Sequence, residues 1–257
     1  KRGLGGSESA VIFVSRELAK LGFIVHVFND CLSEDANPGE YDAVSYIPID
    51  KLSRSKYDVI ISSRTSKPFK DKIIDAKYKV LWLHDTFCGD EQDIEQMLLS
   101  GEISDLWTLS DYATNLNLNM SHNVKPRLFE AMKKHVWVTR NGAHQWIKEI
   151  DLKQKDKNKF IYNASSIKGL QPLLDDIWPR IKKNLPDAKL TIVGGYYTGT
   201  NPGGQFEIVN SYMNDARIKE LDVSFTGVIS QKEVAEHFAS AYMFLYPSSL
   251  PETFGIS

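Results

Sequence analysis

Residues Phe160–Gly195, FIYNASSIKGLQPLLDDIWPRIKKNLPDAKLTIVGG, hold a complete strand–turn–helix–turn–strand unit. Phe160–Asn163 is a short apolar run of the kind that forms a buried strand. Ala164–Gly169 is a turn of small and polar residues. Leu173, Leu174, Ile177 and Ile181 then recur at helical spacing, which predicts a helix with one apolar face, running to about Asn184. Pro186-Asp187 ends it. Lys189–Val193 gives a second strand, which stops on Gly194-Gly195. A helix carried between two strands of one sheet leaves them parallel. The expected class is therefore α/β.

The same alternation extends both ways from this unit. Upstream, Phe23–Phe28, Tyr57–Ser62, Lys79–Leu83, Asp105–Leu109 and His135–Thr139 read as strands, with an edge strand near Ala43–Ile47. Helices are expected from Val11, Val14, Leu18 and Leu21, over Gln92–Leu99, and after a Ser110-Asp111 cap. Phe69–Lys77 reads as a short helix or loop, and Lys125–Met132 as a helix or extended turn. Gly22 stands where a helix end favours a left-handed residue. Downstream, Gln205–Lys219 and Gln231–Ala239, the latter capped by Ser230, read as helices. Val223–Thr226 and Tyr242–Tyr246 read as strands. The charged run Asp151–Lys159, DLKQKDKNK, reads as a solvated linker. It divides the chain into residues 1–150 and 151–257, two parallel-sheet domains.

Composition narrows the function classes. A formal net charge of −2 argues against general nucleic-acid binding, which carries a basic excess. No apolar run approaches the roughly 18 residues of a membrane span. Cys31 and Cys88 lie far apart and match no metal spacing, which fits a reduced, cytoplasmic setting. No Asp-x-Asp metal motif is present; Asp75, Asp85 and Asp90 stay open one by one as metal-binding carboxylates.

Three stretches carry candidate chemistry. Gly3-Leu4-Gly5-Gly6-Ser7-Glu8 is a glycine loop feeding a helix, with Ser7 as the expected cap. Such a helix start favours an anion, although a plain tight turn has the same composition. His84 follows the last apolar residue of a strand, where α/β folds display functional side chains. An imidazole there hydrogen-bonds a sugar hydroxyl or a phosphate, or lies on an ordinary surface loop. Asp85 either orients it or caps the next helix. Leu245–Ser257, LYPSSLPETFGIS, is a strand end, a sharp turn, an acid and a glycine.

Pro251-Glu252-Thr253-Phe254-Gly255 resembles the first half of the E-x7-E motif of the retaining family 4 glycosyltransferases. The turn SSIKGL, with its WPRI and PDAKL continuation, is similar to a subgroup of that family. The resemblance implies the GT-B fold, in which two Rossmann-like domains face a cleft. It implies a sugar moved from a nucleotide-sugar donor to a hydroxyl acceptor with retention, without a bound metal or other cofactor. On that pattern Glu252 meets the donor sugar, and the amides of Thr253, Phe254, Gly255 and Ile256 meet the diphosphate. Lys168 stabilises the leaving diphosphate, and His84 sits beside the reacting sugar. Gly5, Gly6 and Gly194 belong to the donor-binding set, and the backbone near Val228 meets the nucleobase. His84, Lys168 and Glu252 are then the catalytic candidates. Arg140-Asn141-Gly142 resembles the family's Asn-Gly turn before the interdomain linker.

Departures from the pattern are specific. Many members carry an Arg about six residues before the Lys, and Tyr162–Ser166 has none. The second Glu of the motif falls beyond Ser257. Only two residues precede Gly3, where a central strand is expected. The sequence thus reads as a fragment cut at both ends, without the first strand of one domain and the end of the other. Two alternatives stay open: a non-catalytic nucleotide-sugar-binding fragment, and a GT-B nucleotide-sugar epimerase. Retention proceeds by a front-face route or with Glu252 as nucleophile. The acceptor is a glycan, a lipid-linked glycan or a small molecule. The expected location is cytoplasmic, with peripheral contact at the inner membrane face as an option.

Overall fold

The computed structural model describes residues 5–30, 38–52, 56–70, 74–86, 91–120, 130, 133–143, 145–151, 155–194 and 205–255. The chain forms two units. One is built on Leu4–Gly142 together with Glu252–Ile256, and the other on Ala143–Pro251.

The N-terminal unit opens with helix α1 (Gly6–Lys20). Gly5 is its N-cap, in extended backbone. Ser7 was the expected cap, but it lies inside the first turn and donates to Glu8 Oε2 at 3.0 Å. The helix end follows its glycine. Gly22 has φ +91°, its N–H donates to the Ala19 carbonyl, and Phe23 N–H reaches back to the Leu18 carbonyl. Phe23 and Ile24 are exposed, so β1 begins two residues later than the apolar run predicts, at Val25–Asn29.

β1 pairs in parallel with β3 (Val44–Pro48), which also pairs antiparallel with β2 (Gly39–Tyr41). β3 was expected at an edge and lies in the middle, because the sequence hides the hairpin. Its two-residue turn is Asp42-Ala43, both at positive φ, in place of the Asn-Gly that announces such turns.

The second sheet of this unit runs β4 (Lys56–Ser63), β5 (Asp75–Trp82), β6 (Asp105–Thr108) and β7 (Val136–Val138), all parallel in consecutive order. Helices α2 (Lys67–Lys70), α3 (Glu91–Leu99) and α4 (Asp111–Met120) lie between them in sequence. Leu81, Leu83 and Leu106 pack with Phe69, Ile94, Met97, Leu98 and Ile103 in one apolar cluster. β5 is exposed at its start and buried over its last residues, so it delivers His84 at the core edge of the sheet.

The C-terminal unit is wholly parallel. β8 (Asp156–Asn163), β9 (Lys189–Val193), β10 (Val223–Phe225) and β11 (Ala241–Phe244) stand in the order β10-β9-β8-β11. β8 begins at Asp156, so the polar run expected to be linker contributes the exposed start of a strand. Alternate residues face opposite sides of the sheet. Phe160, Tyr162, Leu190 and Ile192 pack with Leu173, Leu174, Trp178, Val209 and Ile218 on one side. Ile161, Val193 and Ala241 pack with Val234 and Phe238 on the other. Burying each such large apolar side chain contributes roughly 1.5–3 kcal/mol.

Helix α5 covers residues 170–184 and widens into a π-turn over Leu173–Ile177. Pro179 follows, with no N–H to offer the preceding turn, which is where such widening relieves the clash. The single helix expected over Gln205–Lys219 is two, α6 (Gln205–Asn214) and α7 (Ala216–Glu220). Asp215 splits them by capping the second; its carboxylate accepts from Arg217 N–H at 2.9 Å. α8 (Gln231–Ser240) starts with the full reciprocal cap of Ser230 and Glu233. No helix among the described residues is long and apolar enough to cross a membrane.

Candidate functional site

Strand order in the C-terminal unit reverses at β8. The chain steps from β8 to β9 to β10 on one side, then returns to place β11 on the other. In such sheets the ligand site lies beyond the carboxyl ends of the two strands flanking the reversal. Ala164–Gly169 leaves β8 there, and Leu245–Pro251 leaves β11.

These loops meet at Gly169. Its φ is +94°, and a Cβ on it would stand 2.4 Å from the Pro247 carbonyl oxygen. Only glycine fits. The turn is also held from within. Lys168 N–H donates to the Ser165 carbonyl at 2.9 Å, and Leu173 N–H to the Gly169 carbonyl at 3.1 Å. The Tyr162 hydroxyl donates to the Ser165 carbonyl at 2.7 Å. Ser165 Oγ bonds the Gln205 side chain, and Ser166 Oγ donates to the Gln205 carbonyl at 3.2 Å. Burial pushes the Tyr162 phenol well above its usual range, with Tyr246 adding to the shift, so it stays a neutral donor. The result is a rigid turn that presents half-buried Lys168 at the start of α5.

Gly194 and Val228 also come together. Gly194, at φ +69°, donates its N–H to the Gly227 carbonyl at 3.0 Å, and Val228 follows, exposed. Both stand at the carboxyl ends of neighbouring strands.

In the N-terminal unit, His84 is 5% exposed and its ring lies 4.4 Å, centroid to centroid, from that of Trp82. Its pKa lies below the ordinary 6.5. Burial is the main cause and Arg64 adds to it, against the opposing carboxylates of Asp85 and Glu8. The ring is therefore neutral near pH 7. Arg64 ties three elements together. Its Nη2 is 3.0 Å from Asp85 Oδ2, and its Nη1 is 3.7 Å from Glu8 Oε1 and 3.4 Å from Ser7 Oγ. Arg64 holds φ +70°, a conformation costly for a residue with a side chain.

The motif residues Glu252–Gly255 group with this unit. Thr253 Oγ1 donates to the His84 carbonyl at 2.7 Å, and Ser110 Oγ donates to the Thr253 carbonyl at 2.5 Å. Ser110 also caps α4, accepting from Ala113 N–H at 2.9 Å. Glu252 is half-buried, Phe254 is exposed and Gly255 has φ +73°. Gly5 is buried at the start of α1, and Gly6 is exposed.

Thus Lys168, Gly194 and Val228 belong to one unit, and Gly5, Gly6, His84 and Glu252–Gly255 to the other. Ile256, Cys31, Cys88 and Asp90 lie outside the described residues. Among the described residues no group of three His, Cys, Asp or Glu is placed to hold a metal ion. Sequence reading missed Arg64, Trp82 and the contact made by Ser110. A basic residue directly after the β4 strand was the available signal for Arg64.

Residues 159–257 match the family model for Glycosyl transferases group 1. No curated protein is a match for the chain. Among solved structures, the chain is similar to Anabaena HepE in complex with UDP and glucose. That match has a TM-score of 0.53 and 13% identity over 98% of this chain and 73% of HepE. It is also similar to the pneumococcal O-GlcNAc transferase GtfA in complex with UDP and GlcNAc. There the TM-score is 0.50, with 13% identity over 79% of this chain and 39% of GtfA. A match to TarM has a TM-score of 0.48 at 13% identity, over 74% of this chain but only 36% of TarM. The chain therefore spans well under half the length of TarM and GtfA. The fold is α/β with parallel sheets, matching the GT-B glycosyltransferase structures.

Proposed function

We propose that the protein is a glycosyltransferase of the retaining, metal-independent kind, moving a hexose-like sugar from a nucleotide donor to a hydroxyl acceptor. One observation carries the reading: the Lys168-Gly169 turn stands at the reversal of the β10-β9-β8-β11 sheet, locked against the Pro247 carbonyl. A cation fixed beside a helix start is a preorganised counter-charge for a departing diphosphate. The group 1 family match over residues 159–257 supports it.

In this reading Lys168 stabilises the leaving nucleoside diphosphate. The bond from the anomeric carbon to the diphosphate oxygen breaks, and its electron pair leaves with the diphosphate. The acceptor oxygen bonds to the anomeric carbon on the same face. Its proton passes to the departing diphosphate, so no protein nucleophile is needed. Glu252 and the amides after it hold sugar and phosphate, and neutral His84 hydrogen-bonds a sugar hydroxyl. HepE and GtfA, bound to UDP with a sugar, support a nucleotide-sugar ligand. The proposed setting is cytoplasmic.

The test is calorimetric and kinetic. Lys168→Ala should weaken nucleoside diphosphate binding by about 1.5–3 kcal/mol, the worth of a charged hydrogen bond. Unchanged affinity would remove Lys168 from the site. Glu252→Gln should slow transfer by roughly 10²-fold while nucleoside diphosphate affinity holds. If affinity and rate fall together, Glu252 is structural.

A further inference from the structure

Arg64 stands in a conformation that its side chain makes costly. Its φ is +70°, and its N–H donates to the Trp82 carbonyl at 2.9 Å, which ties that backbone to β5. Glycine adopts such a φ freely. The left-handed Asp42 and Ala43 make a hairpin turn, whereas β4 and β5 run parallel, so no hairpin accounts for Arg64. Its side chain is 52% exposed, and ion pairs made by so open a group stabilise little. Stability alone therefore favours glycine at this position. Strain held without a return in stability points to function.

The side chain works as a fork. Nη2 lies 3.0 Å from Asp85 Oδ2, while Nη1 lies 3.4 Å from Ser7 Oγ and 3.7 Å from Glu8 Oε1. One nitrogen thus faces the residue after His84, and the other faces the first turn of α1. Both ends need an anchor. Gly5 caps α1 without a side-chain hydrogen bond. At the strand end, Trp82 Nε1 and His84 Nε2 are shielded from solvent and have no hydrogen-bond partner among the described residues. The His84 ring is therefore placed by the Trp82 ring and by the main chain around it. Leu83 N–H donates to the Trp107 carbonyl at 2.7 Å, and Thr253 Oγ1 to the His84 carbonyl at 2.7 Å. Arg64 grips both flanks, Trp82 through its backbone and Asp85 through its side chain.

We propose that Arg64 is a positioning residue: its two terminal nitrogens bridge the first turn of α1 to Asp85, and so fix the Gly5-Gly6 loop against the His84 strand end. The inference rests on the glycosyltransferase reading, which makes both stretches parts of its site, and adds to it the residue that sets their spacing. Arginine suits the task because its planar fork offers two separate points of attachment, whereas a lysine ammonium is one point charge. A lysine at this position keeps the charge and loses the bridge, so the two contributions are separable.

The experiment compares Arg64→Lys with Arg64→Gln by three readouts. The first is amide hydrogen exchange at Ser9, whose N–H closes the first turn of α1 on the Gly5 carbonyl at 3.0 Å. It should quicken by about fivefold or more in both variants, with the amides of β6 unchanged. The second is turnover of UDP-glucose and UDP-GlcNAc. The kcat should fall about tenfold in both variants with KM within about threefold, the mark of groups held slightly out of place. The third is the titration of His84, followed among the ring signals of the six histidines by NMR, with His84→Asn identifying its signal. Arg64→Gln should move it to higher pH, because Asp85 and Glu8 then favour the imidazolium unopposed. Arg64→Lys should leave it in place. If Arg64→Lys restores turnover and slow exchange, charge alone acts and the bridge is overturned. Unchanged exchange at Ser9 in both variants overturns it too. So does faster exchange throughout the N-terminal unit, which would make Arg64 a support of the fold. A wild type that neither binds nor turns over any of these nucleotide sugars, nor binds UDP, overturns the glycosyltransferase reading, and exchange at Ser9 then decides the bridge by itself.

Discussion

The Lys168-Gly169 turn and the surroundings of His84 are built by opposite means. The first is a backbone construction. Carbonyls, amides and one glycine fix it, and nearly every polar group on it is bonded to a neighbour close in sequence or to Gln205. The second is a side-chain construction. Arg64, Glu8 and Asp85 arrive from three elements, and two buried ring nitrogens are left without partners among the described residues. A backbone turn is stiff and indifferent to pH. A cluster of charges around a buried imidazole is adjustable and sensitive to it.

The contrast can be broken most forcefully at Gly169. Gly169→Ala must adopt a left-handed conformation and drive its Cβ into the Pro247 carbonyl. Urea unfolding should show a loss of about 2–4 kcal/mol, combining backbone strain with overpacking. A loss under about 1 kcal/mol would mean the two loops yield easily and the turn is not rigid.

The other side is sharpened by acid. His84 has a folded pKa below 6.5, its ordinary value. Below pH 6.5 the unfolded chain takes up a proton there that the folded chain refuses. Stability should therefore fall as pH drops from 6.5 through the folded pKa, by at most about 1.4 kcal/mol per pH unit from this group. His237 also has a lowered pKa, again mainly by burial, and adds its own slope. The comparison to make is wild type against His84→Asn by thermal melts from about pH 7.5 to about pH 5, a range that brackets the ordinary histidine pKa. The variant should show the shallower acid decline; equal slopes would leave His84 uncoupled from its burial.

The smallest effect is expected at Arg64. Arg64→Gly relieves a left-handed residue worth about 1–2 kcal/mol. It also removes exposed ion pairs worth about 0–1 kcal/mol. Stability should change by less than about 1 kcal/mol in denaturant melts, with any change toward greater stability. A loss above about 2 kcal/mol would make Arg64 a structural clamp, with the charge cluster serving the fold first.

The same contrast explains what the sequence discloses. The C-terminal turn was legible because its determinants are contiguous: SSIKGL contains the small residues, the cation and the glycine that the geometry uses. Lys189–Val193 and the Ser230 cap were legible for the same reason. The His84 neighbourhood was legible only at His84 and at Asp85 beside it. Residues 8, 64, 85 and 110 have no common period or motif, and topology alone assembles them. Boundaries slipped where polar residues enter strands. Asp156 starts β8 within a charged run, and Asp75 starts β5 where helix or loop was expected. The hairpin at Asp42-Ala43 was invisible because its turn lacks glycine.

The hydrogen bond from Thr253 to the His84 carbonyl spans 169 positions of sequence. Closing so long a loop is entropically expensive, although the cost grows only slowly with length. A ribosome making this protein releases the imidazole's strand end long before the threonine that finishes it. The nascent N-terminal unit must therefore wait, with that carbonyl answered by solvent, until the strands of the C-terminal unit have been translated.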